Sequence, residues 1–191
     1  MKQFQLKRIS RCLSGAVVGC FLLGAALADQ KALAEDFLVR VENVSTPHTL
    51  HTSLRDKGVA ISPGVWVLHS GANPIYTVGQ KASLGLKRLA EDGDPNALFS
   101  ESNDWFYCGN AQGSSLFNAD GTPMNGEVTA EVGLWDAGAK QNEEPGLGSN
   151  QAPRQGRPDT GKSRNDPVSA VTSPQAPSVM SSLKVTITPR P

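Results

Sequence analysis

Most of the residues that announce a chemistry are scarce or missing in this chain. Of 191 residues only Cys12, Cys20 and Cys108 are cysteine. The first two fall in an N-terminal segment that reads as removable, so no disulfide is expected within the mature chain. Cys108, directly after Trp105-Phe106-Tyr107, reads as a small buried apolar residue. There is no Gly-x-Ser-x-Gly elbow and no His-Glu-x-x-His pair. Their absence excludes the common signatures of serine hydrolases and zinc proteases. No basic tract offers a footing for nucleic acid. No internal repeat is visible. The one long apolar run, Cys12 to Ala28, is 17 residues, at the lower limit for crossing a bilayer.

That run is preceded by Lys2, Lys7, Arg8 and Arg11 and followed by the small-x-small sites Ala26-Leu27-Ala28 and Ala32-Leu33-Ala34. A basic start, an apolar middle and a small-residue end are the layout of a secretory signal peptide. Residues 1–34 are therefore read as a signal and residues 35–191 as one mature domain. Cleavage after Ala34 is favoured because a strand pattern starts immediately afterwards, and Ala28 also fits. Phe21-Leu22-Leu23 continues the apolar run past Cys20, which argues against lipoprotein processing there. The expected location is secreted or periplasmic, with no transmembrane segment in the mature chain. The signal holds five of 18 basic and one of 18 acidic residues, leaving 13 against 17 and a net charge of −4. Such a surface is mildly acidic and suited to solution.

The mature pattern is β-rich. Phe37 to Val44 alternates in part and predicts a half-buried strand. Gly64-Val65-Trp66-Val67-Leu68-His69 is nearly continuous in apolar residues and predicts a core strand. Between Lys81 and Glu91, Ala82, Leu86, Leu89 and Ala90 recur at helical spacing and predict one short helix. Trp105–Cys108, Ser115–Phe117 and Glu127–Trp135 predict further strands, the last uneven in its alternation, and Leu183–Thr188 alternates cleanly. Residues 141–181 are rich in Gly, Pro, Ser, Asn and Gln and predict a disordered polar loop, because they hold too little apolar surface to offset ordering entropy.

Five segments stand in order: Phe37 to Ser45, Ser62 to His69, Ala90-Glu91-Asp92-Gly93-Asp94-Pro95, Ser102-Asn103-Asp104-Trp105, and Trp135-Asp136-Ala137-Gly138. Together they resemble the spondin N-terminal domain family in its bacterial secreted form, over roughly residues 36–155 and the strand near 183–188. The resemblance implies an antiparallel β-sandwich related to calcium-dependent membrane-binding domains. It also implies a calcium ion held by acidic loops. Relatives of that type carry several tens of additional residues, including strands, between the Asp-Gly-Asp-Pro and Ser-Asn-Asp-Trp motifs. This chain therefore reads as internally shortened, and a remnant without function is one reading of it.

The resemblance places calcium ligands at Asp104 and Asp136. A third acidic ligand is expected four residues after Asp136, where Lys140 stands, and an ammonium offers no acceptor. Glu143 and Glu144 lie close enough in sequence to substitute. A site of this kind falls in the weak range of ~10⁻⁴–10⁻³ M. The competing reading of both aspartates is that they are strand-end turn formers. His48 and His51 stand three apart in a Pro- and Thr-containing loop with no further ligand nearby, and His69 is separate, which speaks against zinc. Glu91, Asp92 and Asp94 read as a solvated helix-ending turn rather than a second cation site. The expected role is a non-catalytic adhesion or binding module at the cell envelope or outside the cell. Its partner is a glycan or protein of the envelope or matrix, and its oligomeric state is left open. A hydrolase of envelope polysaccharide acting through Asp104 and Asp136 is the enzymatic alternative.

Overall fold

A computed structural model describes residues 2–9, 35–62, 64–92 and 101–190. Cys20, both expected cleavage positions and Gly93-Asp94-Pro95 lie outside the described residues. The elements in chain order are β1 (Lys2–Ile9), β2 (Glu35–Asn43), β3 (Leu50–His51), β4 (Asp56–Lys57), α1 (Leu84–Asp92), β5 (Trp105–Gly109) and β6 (Gly126–Glu127). A 3-10 turn (Thr129–Glu131), β7 (Val132–Asp136), β8 (Ser169–Ala170), α2 (Val179–Ser182) and β9 (Leu183–Arg190) follow. The fold is all-β, with antiparallel sheets ordered β1-β2-β9-β6, β3-β4 and β5-β7-β8.

Strand periodicity decides what each sheet buries. In β2 and β9 the paired residues Val39↔Ile187 and Val41↔Val185 share one apolar face with Phe37 and Leu183. Trp105 and Tyr107 of β5 and Leu134 of β7 pack with Leu50, Val59 and Leu183 in one buried cluster. Phe106 points the other way, into a second cluster with Tyr76, Leu86, Ala90 and Val168. There α1 covers the outer face of β5. Its first turn is capped by Ser83, whose Oγ accepts from the Leu86 N–H at 3.2 Å. A third cluster joins Phe37, Ile187 and Val128, with Phe117 edge-on to Phe37.

Four expectations change. Residues 64–69, expected as a core strand, form no strand, and Val65, Trp66, Val67 and Leu68 are 44–51% exposed. A core strand needs neighbours on both edges, and no described strand stands beside this segment. Among the described residues no strand lies between α1 and β5. Residues 115–117 are reduced to the single bridge Phe117↔Pro123, because proline has no N–H with which to extend a ladder. The strand expected over 127–135 is broken by the 3-10 turn, and the chain changes sheets there: β6 pairs with β9, and β7 with β5. Thr129 anchors the crossing by accepting the Val185 N–H on Oγ1 at 2.9 Å. Finally, residues 141–181, expected as a disordered loop, are folded against the sheets, with Gln151 fully buried and Val168 nearly so.

Candidate functional site

The register Trp105↔Asp136 places Asp104, just before β5, beside Asp136 at the end of β7. Ser102 sets the entry to β5, its Oγ accepting the Trp105 N–H at 2.8 Å. Asp104 has no exposed surface. Its Oδ2 accepts the Ala139 and Lys140 backbone N–H groups at 2.7 and 2.8 Å, and its Oδ1 has no hydrogen-bond partner among the described residues. Asp136 Oδ1 accepts the Gly138 N–H at 2.7 Å, and Oδ2 accepts the Asn142 amide at 2.6 Å. Arg164 stands 3.9 Å from the same Oδ2. Gly138 turns the chain at φ +67°, where a Cβ would collide with the Asp166 carbonyl. Burial, and then the charge of Asp136, push the Asp104 carboxyl up to about 7, against the pull of the Lys140 and Ala139 N–H groups and Arg164.

The two expected calcium residues are thus brought together, but the third position is not. Lys140 is 2% exposed, and its ammonium points to Asp159, with Ser163 Oγ at 3.5 Å and Glu91 at 3.9 Å. Glu143 is held by Asn103 and Asn150. Burial would raise its pKa, and the hydrogen bonds from Asn150 and Asn103 more than offset that and lower it. Glu144 binds the Ser53 hydroxyl at 2.8 Å. Calcium takes six to eight oxygens. Asp104 and Asp136 as arranged present one uncommitted carboxylate oxygen, with a guanidinium close by, and do not fit that ion. Among the described residues no group of three or more His, Cys, Asp or Glu side chains is arranged to hold a metal. His48 and His51 both turn Nδ1 toward exposed Asp56, at 3.3 and 2.8 Å. Of the Glu91, Asp92 and Asp94 cluster, Glu91 is buried beside Lys140, and Asp94 lies outside the described residues.

The arrangement makes the acidic corner a loop anchor. Around it Glu101, 4% exposed, receives Lys57 at 2.9 Å and Arg154 at 3.2 Å. Gln151 donates to the Glu144 carbonyl at 2.8 Å and accepts the Gly146 N–H at 3.1 Å. These bonds hold residues 139–166 in place, with Ala139 and Pro145 as buried apolar residues among them.

Sequence reasoning missed the second feature, a half-open cleft of about 1090 Å³. Its floor is the apolar face of β2 and β9, with Val39, Val41, Leu183 and Val185; Tyr107 and Cys108 of β5 form one side, and residues 64–69 the outer wall. Burial raises the Cys108 thiol above its ordinary range, and a hydrogen bond with Asn73 opposes that. The signal that could have revealed the cleft was the continuous apolar run of 64–69 standing in a chain short of strands to pair with it. No family model, curated protein or solved structure matches the chain. No described helix is long and apolar enough to cross a membrane.

Proposed function

We propose that the protein is an exported, non-catalytic binding module that acts at the cell envelope or outside the cell. The cleft between β2/β9 and β5 carries this reading. Ligand sites are concave and mainly apolar with few polar groups, and exposed apolar runs of this length mark contact surfaces. Four consecutive apolar residues, Val65 to Leu68, line the cleft and remain about half exposed. Burial of the aspartate pair supports the non-catalytic part. Asp104 is wholly enclosed and Asp136 is 7% exposed, so neither offers a face to a sugar chain. The antiparallel sheets are in keeping with a sandwich of the spondin N-terminal type, shortened between α1 and β5. Calcium assistance, which that resemblance implies, would have to enter at Asp104 Oδ1 and displace N–H donors already in place.

The test is binding of a neutral apolar dye, N-phenyl-1-naphthylamine, followed by its fluorescence. We expect saturable binding that Val67→Asp weakens at least tenfold while the far-ultraviolet circular dichroism is unchanged, since Val67 is on an exposed wall. Absence of binding by the folded chain overturns the reading. Mass spectrometry of the exported protein should find its N-terminus at Asp29 or Glu35, and an intact Met1 chain retained inside the cell would remove the export part. A rise in melting temperature with millimolar calcium would bring the ion into the reading, because a ligand of the folded state stabilises it.

A further inference from the structure

We infer that the cleft takes the alkyl chain of a neutral, single-chain amphiphile, with its hydroxyl-bearing head at His69. The inference rests on the binding reading above and names the ligand class for the same cleft. The volume, about 1090 Å³, lies at the top of the ~300–1,000 Å³ range of ligand pockets. No Asp, Glu, Lys or Arg lines it. An ion carried into such a lining would lose its hydration and find no counter-charge. The buried part of the ligand is therefore uncharged. The sheet side is built of branched aliphatic residues, a surface that a flexible alkyl chain matches through many weak dispersion contacts.

His69 lies against the 110–113 loop, where a Cβ on Gly113 would stand 3.0 Å from His69 Nε2. Its Nδ1 is buried and has no hydrogen-bond partner among the described residues. Two of the amides in the lining, those of Asn43 and Asn73, are engaged. Asn43 donates to the Val59 carbonyl at 2.8 Å and accepts the Ser45 N–H at 2.9 Å. Asn73 donates to the Asn110 carbonyl at 3.2 Å and accepts the Ile75 N–H at 2.9 Å. A buried polar atom left unpaired is costly, and a ligand hydroxyl can donate to or accept from an imidazole nitrogen according to its tautomer. A carboxylate head is the poorer match, because no cation stands in the lining to meet it. The outer wall permits entry: among the described residues no backbone hydrogen bond holds 64–70.

The experiment is displacement of N-phenyl-1-naphthylamine from the purified full chain by hexadecanol, 1-monopalmitoylglycerol, palmitate and palmitoyl-lysophosphatidylcholine. Hexadecanol separates a free long-chain alcohol from the acylglycerol as the source of the chain. We expect the two neutral ligands to displace the dye, each at least tenfold more tightly than palmitate or the lysophospholipid. His69→Ala should weaken the neutral ligands about tenfold relative to the dye, whose affinity for the same variant is measured alongside. Dye binding that none of the four ligands displaces would overturn the amphiphile and leave the binding module standing. No dye binding would overturn both. Palmitate binding as tightly as the neutral pair, or His69→Ala leaving their affinity unchanged, would overturn the assigned head.

Discussion

Asp104 shows how one residue's role turns on what surrounds it. Its carboxyl lies buried beside Asp136, which pushes its pKa up to about 7 from the ordinary 3.8. Between those values the folded chain keeps a proton that the unfolded chain has released. Folding then takes up a proton, so stability should fall as pH rises from about 4 to about 7 and level off above. Asp104→Asn keeps an acceptor for the Ala139 and Lys140 N–H groups and cannot ionise. It should melt above the parent at pH 8, match it near pH 4 and lose the slope between. A variant that instead melts lower at pH 8 would show that the ionised carboxylate is wanted there, as a bound cation would require. Gly138→Ala is the opposite case. It combines φ +67° with a collision against the Asp166 carbonyl, and denaturant unfolding should register a loss of roughly 2–4 kcal/mol.

At the scale of elements, the broken strand over residues 126–136 is the instructive one. Its uneven alternation marks the point where the chain leaves β9 and joins β5. Thr129 serves both sides, accepting the Val185 N–H at 2.9 Å and donating to Glu127 at 2.8 Å. Thr129→Val keeps the shape and removes the hydroxyl, leaving the Val185 N–H without that partner. Chemical denaturation should show about 1–3 kcal/mol of lost stability. The segment over 64–69 is the counterpart. It has the composition of a core strand and no ladder. Hydrogen exchange should find the amides of Val65 to Leu68 unprotected while those of Phe106 and Cys108, opposite Trp135 and Gly133 in the hydrogen-bonded pairs, exchange slowly. Slow exchange across Val65 to Leu68 would mean that the segment is paired in solution.

For the molecule as a whole, two different means of order meet along β5 and β7. On one flank apolar clusters close over Trp105, Tyr107 and Leu134, and over Phe106 beneath α1. On the other, residues 139–166 are held by buried carboxylates and amides, among them Asp104, Glu101 and Gln151. The second flank is the more exposed to chemistry. Glu101→Ala would leave Lys57 and Arg154 without the carboxylate that pairs both, and should loosen the loop region first, detectable as proteolysis within 141–166 ahead of global unfolding.

The sequence by itself determined the strand character of β2, β5 and β9 and the short helix α1. Each of these is written in local periodicity, where nearest neighbours decide the outcome. Only the tertiary structure decided what those pieces do. Composition predicts a disordered loop over 141–181, because hydrogen bonds from Asn103 to Glu143 or from Gln151 to the Glu144 carbonyl join residues whose partners cannot be read from composition. The apolar run of 64–69 reads as core for the same reason: its own pattern is that of a buried strand, and burial depends on neighbours elsewhere in the chain. Where those neighbours are lacking, the run becomes the wall of a cleft. A local pattern states what a segment prefers, and the packing of distant segments settles whether that preference is met.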